Sequence, residues 1–271
     1  MTVTPDIKII GIVLVKNEDR YIEQALRNVL DFCDEIIVTD NESSDDTYAI
    51  VSALASNHPK IRLVRISHPR ESHDAIAPYA GTNTWIFAVD GDEIYDPEGL
   101  KKMRQLLIDG HFSKTWSVFG NVLNCTKIDI PNKKTEGYLA PPSRSMTKLY
   151  NFSLIESWTG CPERLHSGVL QFKSETKDHQ HKHDLYREVN WDNAYFRCLH
   201  AVFVPRSSLN RGSVQQTKLN PSEMQSIKSA FERHSYFKFI SRFLRYNFGT
   251  DWKKKNYRKG PLVEKDITPF F

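Results

Sequence analysis

The sequence predicts an α/β fold, a mostly parallel central sheet flanked by helices, and three observations carry that prediction. Short apolar, β-branched runs alternate with segments of helical periodicity through the first 108 residues. The first run, Ile7 to Val15, is apolar almost throughout, as a strand buried on both faces must be. Three of the runs end in polar clusters: Lys16-Asn17-Glu18, Asp40-Asn41-Glu42-Ser43 and Asp90-Gly91-Asp92-Glu93. In a parallel sheet such ends converge on one rim, where ligands bind.

Each element follows from local chemistry. After Val15, Asn17 can cap a helix over 18–31, with Glu18 and Asp19 suited to its first turn and Ile22, Ala25, Leu26, Val29 and Leu30 on one face. Glu35–Thr39 is a second strand. Ser43-Ser44-Asp45-Asp46 offers a capping box for a helix carrying Ile50, Val51 and Leu54. Ile61–Ile66 and Thr84–Val89 are further strands. Asp96-Pro97 starts a helix with Leu100, Met103, Leu106 and Leu107 on one side. Beyond residue 110 the pattern changes: 116–122, 148–152 and 168–172 read as strands, and the Pro/Lys/Gly-rich stretch 127–145 as a mobile loop. Trp191, Ala194, Tyr195, Cys198 and Leu199 have helical spacing, placing His200 at the end of an apolar helix as a core histidine. Pro221 opens a helix to about Tyr246. The expected organisation is a domain over 1–215, with halves 1–109 and 110–215, and a C-terminal helical extension with a basic tail over 216–271.

Bulk properties bound the function loosely. A chain of 271 residues, 39% hydrophobic and 26% charged, is ordinary for a globular protein. No apolar run approaches the ~20 residues of a membrane span, and the first residues lack the pattern of a secretory signal. Cys33, Cys125, Cys161 and Cys198 form no CxxC pair and read as free thiols in a reducing, cytoplasmic compartment. A net charge of +4 gives no argument for nucleic acid. Neither GxGxxG nor GxxxxGK[ST] follows a strand, so a dinucleotide fold and a P-loop lack support.

Asp90, Asp92 and Glu93 crowd three carboxylates into four positions, which raises their pKa values unless a cation compensates. Asp90-Gly91-Asp92 at a strand end suits a hard divalent ion, which takes one or two carboxylates and completes its shell with phosphate and water. A solvated acidic loop is the bland alternative.

Taken together, "IVLVKNEDRYIEQAL", "DEIIVTDNESSDDT" and "WIFAVDGDE" resemble the family 2 glycosyltransferases of GT-A fold in order, spacing and strand context. The "KNE" form resembles a subgroup that builds bacterial surface glycans such as lipopolysaccharide or capsule. The resemblance covers about residues 7–108. It implies a nucleotide site at Val15, Lys16, Asn17, Glu18, Asp40, Asn41, Asp90 and Gly91, with Asp40 or Asn41 at the base and Asp90 near the ribose or sugar. It implies Mn²⁺ or Mg²⁺ on Asp92, with Asp90 nearby, bridging the diphosphate of a nucleotide sugar, UDP-linked by preference. Lys16 stands where many relatives carry an aromatic or small residue, and it can meet a phosphate, an acidic sugar, Glu18 or Asp40.

The resemblance also implies inversion by a single carboxylate base from the second half. "WTGCPERLHSG" supplies Glu163 as that base and His166 as its neighbour or a further metal ligand, against a surface pairing of Glu163 with Arg164 or Arg144. "DHQHKHD" sets His179, His181 and His183 at alternate positions, a zinc-like arrangement or a solvated loop. "DWKKKNYRKGP" with the preceding 235–249 is a lid over a diphosphate, a helix packed on the domain, or a peripheral contact with anionic lipid through 235–260. The whole reads as a metal-dependent, inverting transferase acting on a saccharide or lipid-linked saccharide. The rivals are a sugar nucleotidyltransferase and a non-catalytic glycan- or polyanion-binding protein.

Overall fold

The computed structural model describes residues 7–145, 148–179, 181–210, 219 and 255–271. The predicted helix from Pro221 and the segment 235–254, with Trp252, Lys253 and Lys254, lie outside the described residues.

Four parallel strands form the heart of the molecule: β1 (Lys8–Val15), β2 (Glu35–Asp40), β3 (Ile61–Arg65) and β4 (Thr84–Asp90). They lie in the order β3-β2-β1-β4. Every residue of β1 after Lys8 is buried, as its unbroken apolar run requires. The helices α1 (Ile22–Val29) and α2 (Thr47–Asn57) connect these strands. A short α3 (Glu71–Asp74) and a 3₁₀ turn, Ala77–Tyr79, precede β4. After β4 the chain makes the three-residue strand β5 (Glu93–Tyr95) and helix α4 (Pro97–Ile108), which Asp96 caps through the N–H groups of Glu98 and Gly99.

The second half is woven into the first. It contributes β6 (Ser117–Phe119), β7 (Asn121–Asp129), β8 (Lys134–Ala140), β9 (Lys148–Asn151), β10 (Ile155–Thr159), β11 (Val169–Phe172), β12 (Lys182–Asp184), helix α5 (Leu185–Glu188), β13 (Arg197–His200) and β14 (Val263–Asp266). Strands β9, β6 and β12 extend the first sheet beyond β4, with β9 antiparallel to β4. A second sheet runs β14-β8-β7-β13-β5, and β10 pairs with β11.

One face of the main sheet packs Ile9, Val13 and Phe87 against Leu26 of α1, Val51 of α2 and Met103 of α4. The other packs Ile10, Ile12 and Ile86 against Ile76, Phe152, Trp158 and Leu165. Long helices thus cover one face, while short helical turns and the β10–β11 pair cover the other. Among the described residues no helix is long and apolar enough to cross a membrane, and all four cysteines are free and buried.

Three local expectations are corrected. Residues 127–145 are no loop: 121–140 form the β7–β8 hairpin, and Pro131 and Lys133 fall in its four-residue turn. The Pro/Lys/Gly bias reported the turn, while along β8 Thr135, Gly137 and Ala140 are the buried positions. Residues 191–199 are no helix: a 3₁₀ turn, Trp191–Asn193, leads into β13, buried on both faces between β7 and β5. A two-faced strand has no period of two to read, so its apolar positions mimicked a helical face. Helix α1 starts at Ile22 because Asn17 does not cap it. Asn17 lies in the left-handed region (φ 57°) and its Oδ1 accepts the N–H of Ser44.

Candidate active site at the ends of β1, β2 and β4

The three polar clusters do converge. The register sets Val15 beside Asp40 and Leu14 beside Asp90, so the chains leave the sheet side by side. Asn17 and Glu42 both take left-handed φ values of 57°, which turns the backbone sharply at two adjacent strand ends. Ser43, expected as a helix cap, instead accepts the N–H of Asn17 at 3.0 Å and donates its own N–H to Asp40 Oδ1 at 3.0 Å. Asp40 is fully buried, yet its Oδ2 has no hydrogen-bond partner. Asn41 donates its N–H to the Val15 carbonyl and its side-chain amide to Ile66 and Ser67. Lys16 is partly buried. Burial lowers its pKa, against the opposing pull of Glu42 and Asp40.

The acidic corner answers the question of compensation with arginines. Asp90 meets Arg164 Nη2 at 2.5 Å, and Arg164 Nη1 donates to the Val89 carbonyl at 3.0 Å. Arg206 Nη1 lies 2.6 Å from Glu18 Oε1 and 3.0 Å from Asp92 Oδ2. Burial raises the Asp90 carboxyl, but Arg164, Lys148 and His200 outweigh it and hold the group below the ordinary carboxylate range. Glu93 behaves oppositely: burial first, then Asp90 and Asp92, push it up to about 8 against Lys148. Glu18 is likewise pushed up to about 8, by burial and by Asp92 and Asp90, against Arg206. At neutral pH Asp90 is therefore ionised against Arg164, while the two glutamates hold protons.

Gly91 is required by close packing. A Cβ there would stand 2.9 Å from Val15 Cγ1 and closer still to Glu18 Oε2. This brings the turn of the Asp-Gly-Asp sequence directly onto the "KNE" turn.

The fit of a divalent cation can be tested on Asp92 and His200. Asp92 is 1% exposed; its Oδ2 is ion-paired with Arg206, while its Oδ1 accepts no hydrogen bond. His200 Nε2 lies 3.7 Å from Asp92 Oδ2, while Nδ1 lies 2.9 Å from Asn124 Oδ1. A buried carboxylate whose Oδ1 accepts no hydrogen bond, with an imidazole nitrogen beside it, is a donor set that suits a divalent cation, so the residues fit one. Among the described residues no three metal-binding side chains come together, so phosphate and water would complete the shell.

The structure corrects other assignments. His200 is on a strand at the acidic corner, not in an apolar helix. His166 is half-exposed and its Nδ1 faces Glu163 Oε1 at 2.8 Å, a pairing set by the tight turn between them, so it serves Glu163 and not the aspartates. Glu163 is partly buried. Burial raises its pKa, but the His166 hydrogen bond and Arg164 bring it below its ordinary value. His183 turns away to Glu188 and the Phe112 ring, so the three alternate histidines make no cluster. From the basic tail, Tyr257 is buried against the His200 ring, 5.8 Å between centroids, and Arg258 stacks over Phe203.

Residues 12–158, just over half the chain, match the family model "Glycosyl transferase family 2", and the chain belongs to that family. An uncharacterized glycosyltransferase of Rickettsia typhi is 34% identical over 86 residues, 32% of this chain and 28% of that protein. Glycosyltransferase SunS from the SPbeta prophage of Bacillus subtilis is 30% identical over 97 residues, 35% and 22% of the two chains. The matched stretch thus spans under a third of these relatives' length. Among solved structures, mannosyltransferase PcManGT of Pyrobaculum calidifontis, in complex with GDP-Man and Mn²⁺, is 22% identical over 48% of this chain and 39% of its own, TM-score 0.35. Glucosyl-3-phosphoglycerate synthase of Mycobacterium tuberculosis is 18% identical over 66% and 70%, TM-score 0.41.

Proposed function

We propose that this chain transfers a sugar from a nucleotide-sugar donor, UDP-linked by preference, to a hydroxyl of a saccharide or lipid-linked saccharide, with inversion and with a divalent metal. The observation that carries the reading is Asp92: a buried carboxylate just beyond β4 whose Oδ1 accepts no hydrogen bond, with His200 and Arg206 beside its Oδ2. Asp92 and His200 would hold Mn²⁺ or Mg²⁺, which when bound supplies Lewis-acid stabilisation of the departing nucleoside diphosphate. Asp40 Oδ2, buried and unpartnered, is suited to accept an N–H of the base. Lys16 stands beside it, within reach of a phosphate.

Glu163 is the proposed base. Its carboxylate, held ionised by His166 and Arg164, takes the proton of the acceptor hydroxyl as that oxygen bonds to the anomeric carbon. The bond to the diphosphate oxygen breaks on the opposite side. Arg206 supports a second reading, in which the guanidinium beside Asp92 stabilises the diphosphate without metal.

Calorimetric titration of UDP, GDP and dTDP, with and without Mn²⁺, on the wild type and Asp92→Ala tests both readings. Metal-dependent binding of one nucleotide, lost in the variant, is expected. Binding unaffected by metal would favour the arginine. No binding of any nucleotide to folded protein would refute the donor site.

A further inference from the structure

His73 belongs to none of the sequence motifs, yet it makes two short contacts between the first half and the Glu163 loop. It sits in α3, is 3% exposed, and meets two backbone carbonyls: Nδ1 lies 2.5 Å from the oxygen of Arg164 and Nε2 2.7 Å from that of Trp158. A carbonyl oxygen can only accept. A neutral imidazole has one N–H and one bare lone pair, so either tautomer would press a lone pair against a carbonyl oxygen at hydrogen-bond distance. Only the imidazolium donates at both ends. We propose that His73 is held as an imidazolium that clamps the 158–168 loop, and that it is thereby the positioning residue for Arg164 and Asp90.

The rest of the contact set has the same purpose. Ser72 Oγ accepts the N–H of Arg164 at 2.9 Å, so neighbouring residues of α3 take both backbone groups of Arg164. Arg164 needs holding, because its φ of 25° lies on the left-handed side that arginine seldom adopts. Trp158 Nε1 closes the loop on itself by donating to the Ser167 carbonyl at 2.7 Å. From the clamped backbone the guanidinium reaches the Val89 carbonyl and Asp90. The line from ring to acidic corner is thus two backbone hydrogen bonds and one ion pair.

The two carbonyls solvate the buried charge directly. The titratable and charged groups on the packed elements are Arg70, Glu71 and Asp74 at α3; Glu156, Cys161, Glu163, Arg164 and His166 on β10 and the loop; and Lys8 and Tyr79 on β1 and the 77–79 turn. Loss of one ring proton would turn a strong hydrogen bond into a repulsion and release the loop.

The test is a pH titration of the intact chain with ¹⁵N-labelled histidine. Two-bond NMR spectra read the protonation of each His73 nitrogen, and hydrogen exchange reads the amides of 158–168. Both nitrogens should carry protons while those amides are protected. Deprotonation and a roughly tenfold or greater rise in exchange, the loss of one charged hydrogen bond, should share one transition. Ser72→Ala loosens the loop without touching the ring, so it should move that transition to lower pH; His73→Gln should leave exchange fast throughout. A singly protonated His73 with the loop still protected, or a transition unmoved by Ser72→Ala, would overturn the inference. The consequence for the donor site rests on the proposed function, but these readouts need no nucleotide, so failure of one is distinct from failure of the other.

Discussion

Glu93→Gln isolates the proton stored at the acidic corner. Glu93 Oε2 accepts from the Asp90 N–H at 3.2 Å and the Tyr95 hydroxyl at 3.0 Å, and Oε1 is buried without a partner. Folding moves this carboxyl from its ordinary 4.5 up to about 8. A raised pKa gives stability that is complete below the unfolded value and is lost as pH rises toward the folded one. Between about pH 5 and pH 7 the folded protein keeps the proton that the unfolded chain has mostly released. The slope approaches 1.4 kcal/mol per pH unit, so this residue accounts for a loss of about 2 kcal/mol over that interval. Glutamine keeps the carbonyl acceptor and has no proton to lose. Urea unfolding followed by circular dichroism at pH 5, 6 and 7, without divalent metal, should show a pH dependence about 2 kcal/mol smaller in the variant. Parallel pH profiles for the two proteins would refute the argument that Glu93 is neutral in the folded state.

Other perturbations have equally definite outcomes. Arg164→Met strands the Asp90 charge and should destabilise the protein by about 3–5 kcal/mol in chemical denaturation, with much of the loss recovered in the double variant with Asp90→Asn. Phe270→Ala removes a ring that is 1% exposed and stacked 5.9 Å from Trp191; a cost of about 3–5 kcal/mol is expected. Glu163→Gln should lower kcat by about 10²- to 10⁴-fold while nucleotide affinity, read by calorimetry, stays within a few-fold.

The first half was legible because its signals are contiguous. A buried parallel strand writes itself as one apolar run, and the polar residues that follow are the strand end. The positions of Asp40, Asp90 and Asp92 directly after such runs are enough to place all three on one rim. Their partners could not be placed this way, since Arg164 lies 75 positions beyond Val89 and Arg206 lies 188 beyond Glu18. No local pattern ties a basic residue to a carboxylate at that distance. The need for compensating cations was readable; which side chains supply them was not. The short strands of the second sheet were misread because Gly137 weakens the strand signal of β8, and β13 is buried on both faces. His73 left no trace in sequence, because what defines it is a pair of backbone carbonyls.

Strand β14 forms the rim of the second sheet, pairing antiparallel with β8 from Val263↔Gly137 to Asp266↔Lys134. Behind it Phe270 accepts hydrogen bonds from Gln24 and Asn28 of α1. During vectorial synthesis β8 therefore emerges long before the strand that covers it, and β7–β8 waits with an open edge while well over a hundred residues follow. An uncovered edge is a template for pairing with other chains, and a contact of this sequence separation forms late. Yield and aggregation during expression should thus respond to changes in 262–271 more steeply than equilibrium stability does, making this short strand a determinant of how the protein is made as well as of how it stands.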